Sequence, residues 1–141
     1  MKIGMFPMVA DLLHVGHLTA LKYAKQHCDK LIVALNCDPT VDNPTKHKPV
    51  ETVYERYVRL MTCKYVDEVI PYVGEADLLL LLQTTEYDIR FIGEDHLDSD
   101  WTGKEYEHKV GKKFVAVPRD HTASSTELKQ RMKKYIKDGN I

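Results

Sequence analysis

Short apolar, β-branched runs alternate along this chain with segments in which apolar residues recur at helical spacing. The runs predict five strands, at residues 3–10, 31–35, 69–72, 89–92 and 114–117. A buried helix is predicted at residues 78–82. The apolar positions that share a helix face are Leu18, Leu21, Ala24 and Cys28 in a first helix, Val53, Tyr57, Leu60 and Met61 in a second, and Leu128, Met132, Tyr135 and Ile136 in a C-terminal one.

This order, β-α repeated five times, predicts a Rossmann-like, doubly wound α/β sheet of about five parallel strands with helices on both faces. A chain of 141 residues is the size of one domain, so residues 1–141 are predicted to fold as one unit. Ligands of such sheets bind at the carboxyl ends of the strands. Polar segments follow the first, second, fourth and fifth predicted strands, at residues 11–17, 36–49, 93–95 and 119–126.

Composition narrows the class of protein. With 43% hydrophobic and 29% charged residues, the chain is neither disordered, collagen-like nor a coiled coil. Its apolar runs are too short to span a membrane and no signal peptide is visible, so we expect a cytoplasmic protein without a membrane partner. Three cysteines without a C-x-x-C pair predict reduced, mostly buried thiols: Cys28, Cys37 and Cys63.

Charge is unevenly distributed along the chain. Residues 67–100 carry ten acidic residues against Arg90 alone, whereas residues 101–141 carry ten lysines and arginines against five acids. The basic C-terminal third suits either a polyanion such as a nucleoside triphosphate or a solvated helix face. A sequence pI of about 6.6 and the lack of an aromatic-plus-basic ladder argue against a nucleic-acid partner.

The segment that points to chemistry is His14-x-Gly16-His17, directly after the first predicted strand. Histidines three residues apart at the start of a helix lie on one face, and free backbone N–H groups there attract anions. Glycine between them allows a phosphate to approach the backbone. The alternative is a pair of unrelated histidines that cap a turn.

Three motifs together resemble one known family. They are the H-x-G-H motif, residues 64–71 (KYVDEVIP), and the R-x-x-x-x-S-S-T stretch at residues 119–126. In this order they are similar to the cytidylyltransferase-type nucleotidyltransferases, most closely the small glycerol-3-phosphate cytidylyltransferases. The resemblance covers residues 2–133 and identifies residues 1–141 as a single nucleotidyltransferase domain.

The resemblance implies transfer of CMP from CTP to a phosphorylated acceptor, either a glycerol-3-phosphate-like alcohol phosphate or a related phosphomonoester. The acceptor phosphate attacks the α-phosphorus directly, pyrophosphate leaves, and a CDP-linked product forms. Mg²⁺ is expected to bind through the nucleotide phosphates, with no metal site made of protein residues. A homodimer is also implied.

The same resemblance assigns roles to individual residues. The predicted catalytic residues are His14, His17, Lys46 and Arg119. The predicted nucleotide-binding residues are Val9, Ala10, Asp11, His14, Gly16, His17, Asp95, Arg119, Ser124, Ser125 and Thr126. Fixed donors aimed at the α-phosphoryl oxygens would stabilise the charge that grows there in the transition state.

Several of these residues have a plainer interpretation. Ser124 and Glu127 make an S-x-x-E capping box that starts a helix with or without a ligand. Lys46, or Lys48 in a shifted register, is equally typical of a solvated loop. Asp95 also fits a turn-capping acid.

The chain departs from the family pattern in three places. Relatives open the site with Gly-x-Phe-Asp, whereas residues 8–11 here read Met-Val-Ala-Asp, so Met8 is expected to reshape the pocket. Residues 73–82 lack the lysine with which the glycerol-3-phosphate enzymes bind their acceptor. Residues 96–103 look inserted, and we hypothesise that they contribute acceptor specificity.

Two alternatives to CMP transfer remain at this point. One is an ATP-dependent adenylyltransferase of the same fold, because no residue distinguishes cytosine from adenine unambiguously. The other is a non-catalytic nucleotide-binding module, which the altered residues 8–10 suggest and the intact H-x-G-H motif opposes.

Overall fold

The computed structural model describes residues 1–119 and 124–140 as five strands that alternate with five helices. The strands are β1 (Ile3–Met8), β2 (Lys30–Asn36), β3 (Glu68–Tyr72), β4 (Ile89–Gly93) and β5 (Lys113–Val117). The helices are α1 (Val15–Gln26), α2 (Val53–Met61), α3 (Glu75–Thr84), α4 (Lys104–Lys109) and α5 (Ser125–Lys137). A single 3₁₀ turn, Glu94–His96, follows β4.

All five strands pair in parallel, in the order β3-β2-β1-β4-β5. The chain builds the sheet outward from β1 in one direction and then crosses over to place β4 on the other side of β1. The predicted Rossmann-like fold is therefore confirmed. The crossover leaves a crevice between the carboxyl ends of β1 and β4, where open α/β sheets bind ligands.

Alternate residues of the strands belong to two apolar layers, one on each face of the sheet. Phe6, Val33 and Phe91 face the layer that α1 and α2 cover through Leu21 and Leu60. The opposite layer contains Met5, Ile32 and Ala34 together with Leu78 and Leu82 of α3. Helices on both faces, as predicted, hold the sheet rigid beneath the crevice.

The end of the first strand and the placement of the cysteines were predicted wrongly, and one helix was not predicted. The first strand stops at Met8 instead of residue 10, because Ala10 and Leu12 adopt left-handed backbone angles (φ 55° and 60°) that no strand accommodates. Cys28 lies beyond the end of α1, and all three cysteines are half-buried. The sequence pattern gave no sign of α4, whose six residues span less than two turns.

The C-terminal helix forms where predicted, but its apolar stripe is not part of the core. No residue of α5 is buried, and the side chains of Met132, Tyr135 and Ile136 are about half exposed. Helical spacing shows that a helix has an apolar face without showing what covers that face.

Among the described residues, no helix is both long enough and apolar enough to cross a membrane.

Candidate active site

The crevice opens into a cavity of about 740 Å³ at the carboxyl end of the sheet. Of the residues predicted to bind nucleotide or act in catalysis, nine line this cavity: Val9, His14, Gly16, His17, Lys46, Asp95, Arg119, Ser124 and Ser125. The structure thus brings together residues from four separate segments of the chain. Ala10, Asp11 and Thr126 do not line it.

His14 and His17 cap the first turn of α1 reciprocally. The His14 ring accepts a hydrogen bond through Nδ1 from the Gly16 backbone N–H (3.0 Å), and the His17 ring accepts one through Nδ1 from the His14 N–H (3.2 Å). The two rings stack with centroids 3.9 Å apart. Because each Nδ1 acts as an acceptor, we assign the proton of each neutral ring to Nε2.

This assignment gives the two histidines a chemical use. An Nε2–H donor on each ring, next to the positive end of the α1 dipole, suits an anionic oxygen. Capping and anion binding are therefore compatible in this turn, since capping uses Nδ1 and leaves the proton at the other ring nitrogen. The backbone of the first turn of α1 holds both rings through these two hydrogen bonds.

The turn between β1 and α1 has strained backbone angles, and hydrogen bonds to the loop before α2 hold it in place. Its two residues with positive φ, Ala10 and Leu12, flank Asp11, whose carboxylate is buried and accepts the backbone N–H groups of Val50 (2.9 Å) and Glu51 (3.0 Å). The Glu51 carboxylate accepts the N–H of Leu12 in return (2.7 Å). Asp11 therefore ties the turn to the loop before α2.

Arg56 completes this attachment and was not singled out from the sequence as a site residue. Its guanidinium is fully buried and donates only to backbone carbonyls: Val9, Asn36, Cys37 and Glu51, at 2.6–3.2 Å. The first belongs to the segment after β1, the next two to the end of β2, and the last to the loop before α2. Arg56 thus fixes the relative positions of three chain segments at the edge of the cavity.

Arg119 lies at the opposite edge of the cavity, after β5. Its Nη1 donates to Asp95 (2.7 Å), and its backbone N–H donates to Glu94 (2.8 Å). Burial alone would raise the pKa of Asp95, but the Arg119 hydrogen bond and the charge of His96 outweigh it and lower that pKa. Asp95 thus holds Arg119 in place as a permanent carboxylate at neutral pH.

The N-terminus of α5 lies against the β1–α1 turn. The Ser124 hydroxyl accepts the Glu127 N–H (3.0 Å), so the capping interpretation of Ser124 is confirmed. The Ser125 hydroxyl donates to the Asp11 carbonyl (3.1 Å), and Lys129 lies 3.6 Å from the Asp11 carboxylate. Residues 120–123, in the middle of the predicted triphosphate-binding segment, lie outside the described residues.

Lys46 approaches the cavity from the long loop between β2 and α2. Its side chain is exposed and lines the cavity, whereas that of Lys48 does not. The loop is shaped by two short turns, in which Asp38 and Asn43 accept hydrogen bonds from Thr40 and Thr45. This arrangement favours Lys46 as the lysine that reaches a bound phosphate.

A second part of the cavity lies on the α3 side of the sheet and was also missed. We call it the far pocket; it is lined by Asn36, Tyr72, Glu75, Arg90, Asp100, Trp101 and Thr102. The sequence held two signals: Arg90 is the one basic residue in the acidic stretch 67–100, and residues 96–103 were expected to contribute acceptor specificity. Three of these residues belong to the inserted-looking segment 96–103, which therefore borders the cavity.

Within the described residues, no three His, Cys, Asp or Glu side chains are grouped so that they could hold a metal ion.

Comparison with known proteins identifies the family of this chain. The family model described as "Cytidylyltransferase-like" matches residues 5–136. The chain is 35% identical to the glycerol-3-phosphate cytidylyltransferase of Bacillus subtilis, covering 86% of this chain and 90% of that protein. It is 29% identical to the FAD synthase of Thermococcus sibiricus, covering 91% of this chain and 88% of that one.

Five further curated relatives are longer proteins, of which the chain spans 21–33% of the length. Among solved structures, the lipopolysaccharide core biosynthesis protein of Thermoplasma volcanium superposes with a TM-score of 0.66 at 28% identity. That match covers 84% of this chain and 95% of the other. A paired-histidine cavity at the crossover of a parallel sheet and a family match across nearly the whole chain agree: the chain belongs to the cytidylyltransferase-like family and is a nucleotidyltransferase.

Proposed function

We propose that this protein transfers CMP from CTP to a small phosphorylated acceptor, releasing pyrophosphate and forming a CDP-linked product. The observation that carries the proposal is the reciprocal cap of His14 and His17, two stacked imidazoles that line the cavity at the N-terminus of α1. The similarity to glycerol-3-phosphate cytidylyltransferase over most of both chains supports CTP as the nucleotide.

In this mechanism an oxygen of the acceptor phosphate attacks the α-phosphorus of CTP. The bond between the α-phosphorus and the bridging oxygen to the β-phosphate breaks, and its electrons leave with pyrophosphate. The acceptor phosphate is already ionised at neutral pH, so no residue is needed to remove a proton from it. Catalysis then depends on position and charge: His14 and His17 donate to the α-phosphoryl oxygens as negative charge grows there.

The remaining predicted residues surround the triphosphate in this proposal. Arg119 and the N-terminus of α5, at Ser124 and Ser125, bind the β- and γ-phosphates, and Lys46 closes over the phosphates from the loop side. Mg²⁺ accompanies the triphosphate and neutralises part of its charge. In this proposal the backbone of Val9 and Gly16, two residues that line the cavity, contacts the nucleotide.

The nucleotide can be tested before any acceptor is known. A ligand that binds only the folded state raises its melting temperature, so CTP, ATP, GTP and UTP, each with Mg²⁺, are compared by thermal shift. We expect CTP to give the largest shift. A larger shift with ATP would overturn CMP transfer in favour of adenylyl transfer, the alternative that the similarity to an FAD synthase supports.

Catalysis itself is tested with His17→Ala. Loss of one preorganised donor to the transition state is expected to lower the rate of pyrophosphate release roughly 100-fold or more while CTP binding persists. His108→Ala, an exposed histidine of α4, is the matched control and should keep full activity. If His17→Ala released pyrophosphate at the native rate, the histidine pair would not be catalytic; absence of release from the native protein would favour a nucleotide-binding module.

Two further expectations accompany the proposal. A homodimer is expected from the resemblance to the glycerol-3-phosphate enzymes, and light scattering coupled to size-exclusion chromatography measures it. A cytoplasmic location is part of the same proposal, and fractionation of cells checks it.

A further inference from the structure

The far pocket contains a buried arginine whose hydrogen-bonding capacity is half used. Arg90 is 5% exposed, and what remains exposed borders the cavity. Both of its hydrogen bonds leave from Nη1, to the Glu107 carboxylate (2.9 Å) and the Thr102 carbonyl (3.1 Å). Nε is buried without any hydrogen-bond partner, and Nη2 donates to no acceptor among the described residues.

Nε and Nη2 form one edge of the guanidinium, a fork that fits two oxygen atoms side by side. A buried N–H group without an acceptor is costly, and native proteins rarely retain one without a reason. The protein itself supplies no acceptor for the Nε–Nη2 edge of Arg90. We therefore expect a ligand to supply it. This distinguishes Arg90 from an arginine whose only role is structural.

The protein's own carboxylate near Arg90 is fully engaged elsewhere. Glu107 is completely buried and accepts from Arg90 and Trp101 through Oε1 and from the Tyr87 hydroxyl through Oε2. It balances the charge of Arg90 and, unlike Arg90, does not line the cavity. Arg90 and Glu107 therefore form a neutral pair in which Arg90, a residue that lines the pocket, keeps an unpartnered donor.

The charged groups that remain on the pocket wall are acidic. Glu75, which accepts the Thr102 hydroxyl, and Asp100 both line the far pocket. Burial raises the pKa of the Tyr72 hydroxyl, with Glu75 adding to the rise and Arg90 opposing it, so both charges act on the same point. The pocket therefore offers donors and carboxylate acceptors within one small space.

This combination selects among the groups that an acceptor substrate can carry. An ammonium group has no lone pair for the Arg90 edge, and it would place two cations together. A carboxylate would meet Glu75 and Asp100. A hydroxyl accepts from the guanidinium and donates to a carboxylate at the same time, and two neighbouring hydroxyls match the two nitrogen atoms of the edge.

We propose that the far pocket binds the hydroxyl-bearing end of the acceptor through Arg90 and Glu75, and that the acceptor is a phosphorylated polyol or sugar. The proposal rests on the proposed function, since it takes the acceptor phosphate to lie at the histidine pair. Arg90 is then the residue that determines specificity for the acceptor.

The test is calorimetric binding of matched phosphate monoesters to the native protein, with and without CTP. The probes are glycerol 3-phosphate and erythritol 4-phosphate as polyols, ethanolamine phosphate as the amine, and 3-phosphoglycerate as the carboxylate. We expect the two polyol phosphates to bind more tightly than the other two. Tighter binding of ethanolamine phosphate or 3-phosphoglycerate, or no binding of any probe, would overturn the assignment.

Arg90→Lys isolates the unfilled edge, because lysine keeps a positive charge for Glu107 but lacks the fork. Polyol phosphate affinity should fall roughly tenfold or more, as for loss of a hydrogen bond from a charged donor, while CTP affinity is unchanged. Arg131→Lys, the same change on the exposed face of α5, is the control for it. Unchanged polyol affinity in Arg90→Lys would overturn the inference.

Glu75→Gln provides a second variant if Arg90→Lys does not fold, which circular dichroism and thermal unfolding establish first. Removing this charge should weaken polyol phosphates severalfold and improve 3-phosphoglycerate, and the absence of both changes contradicts the proposal. Failure of the proposed function has a different signature: CTP neither binds nor releases pyrophosphate, whatever the acceptor panel shows.

Discussion

Two buried arginines lie beneath the two parts of the cavity, and they are satisfied in different ways. Arg56 meets four backbone carbonyls and no carboxylate, whereas Arg90 meets one carbonyl and the buried carboxylate of Glu107. All three nitrogen atoms of the Arg56 guanidinium donate, while Nε of Arg90 has no partner.

The difference distinguishes Arg56, which has a structural role, from Arg90, which is available to bind a ligand. The carbonyls around Arg56 belong to the segments that shape the nucleotide side of the cavity, so its hydrogen bonds set where those segments lie. Arg90 is held in place by one strong partner and retains donors for something else. Complete satisfaction points to a structural role, and incomplete satisfaction of a well-held group points to a ligand.

The largest expected effect comes from Arg56→Met. Two buried and two partly buried carbonyls would each lose a donor at about 1 kcal/mol or more, so the free energy of unfolding should fall by about 4 kcal/mol. Urea denaturation measures this loss. Arg131→Met on the surface of α5 should change stability by less than about 0.5 kcal/mol. A loss at Arg56 no larger than that would show that solvent replaces the carbonyl contacts.

A double-mutant cycle on Arg90 and Glu107 should give the next largest effect. Glu107→Leu leaves a buried, unbalanced cation and is expected to cost about 3 kcal/mol. Adding Arg90→Met removes that cation, so the double variant should be more stable than Glu107→Leu alone by roughly 2 kcal/mol. Denaturant midpoints of the four proteins give the coupling, and strictly additive losses would contradict a paired cluster.

The smallest effect is expected at the exposed pair of Arg119 and Asp95. The pKa of Asp95 is lowered on folding, so its contribution is present above the unfolded value of about 4 and is lost as the pH falls below it. Solvent screening keeps the contribution below about 1 kcal/mol. Asp95→Asn should therefore be slightly less stable than the native protein at pH 7, and thermal unfolding should show this difference shrinking as the pH falls below about 4 toward the lowered pKa of the folded state. A difference that grew on acidification would contradict the lowered pKa.

Much of the nucleotide side of the cavity could be predicted from the sequence because it is local. His14, Gly16 and His17 lie within four residues of one another. The cap at Ser124 likewise joins residues that are close in sequence, Ser124 and Glu127. The alternation of strands and helices also predicted the parallel sheet, since apolar spacing reflects local geometry.

The contacts of the two buried arginines could not be predicted in this way. Arg56 meets carbonyls from residues up to 47 positions away, and carbonyls carry no sequence signature. Arg90 meets Glu107 across 17 positions, on a helix too short to show a period. The far pocket arises only when β3, α3, β4 and the segment after it come together, so its chemistry is a property of the tertiary structure.

The attachment of α5 has a consequence for how ligand affinity is distributed. The helix buries no residue and meets the body at its first turns, through Ser125 and Lys129 at Asp11. Its amide hydrogens are therefore expected to exchange with solvent faster than those of α1 or the sheet, because undocking α5 exposes little apolar surface. A triphosphate bound between α1 and α5 would hold α5 against the rest of the protein. Part of the free energy of binding would then be used to order α5, and the measured affinity would be lower by that amount.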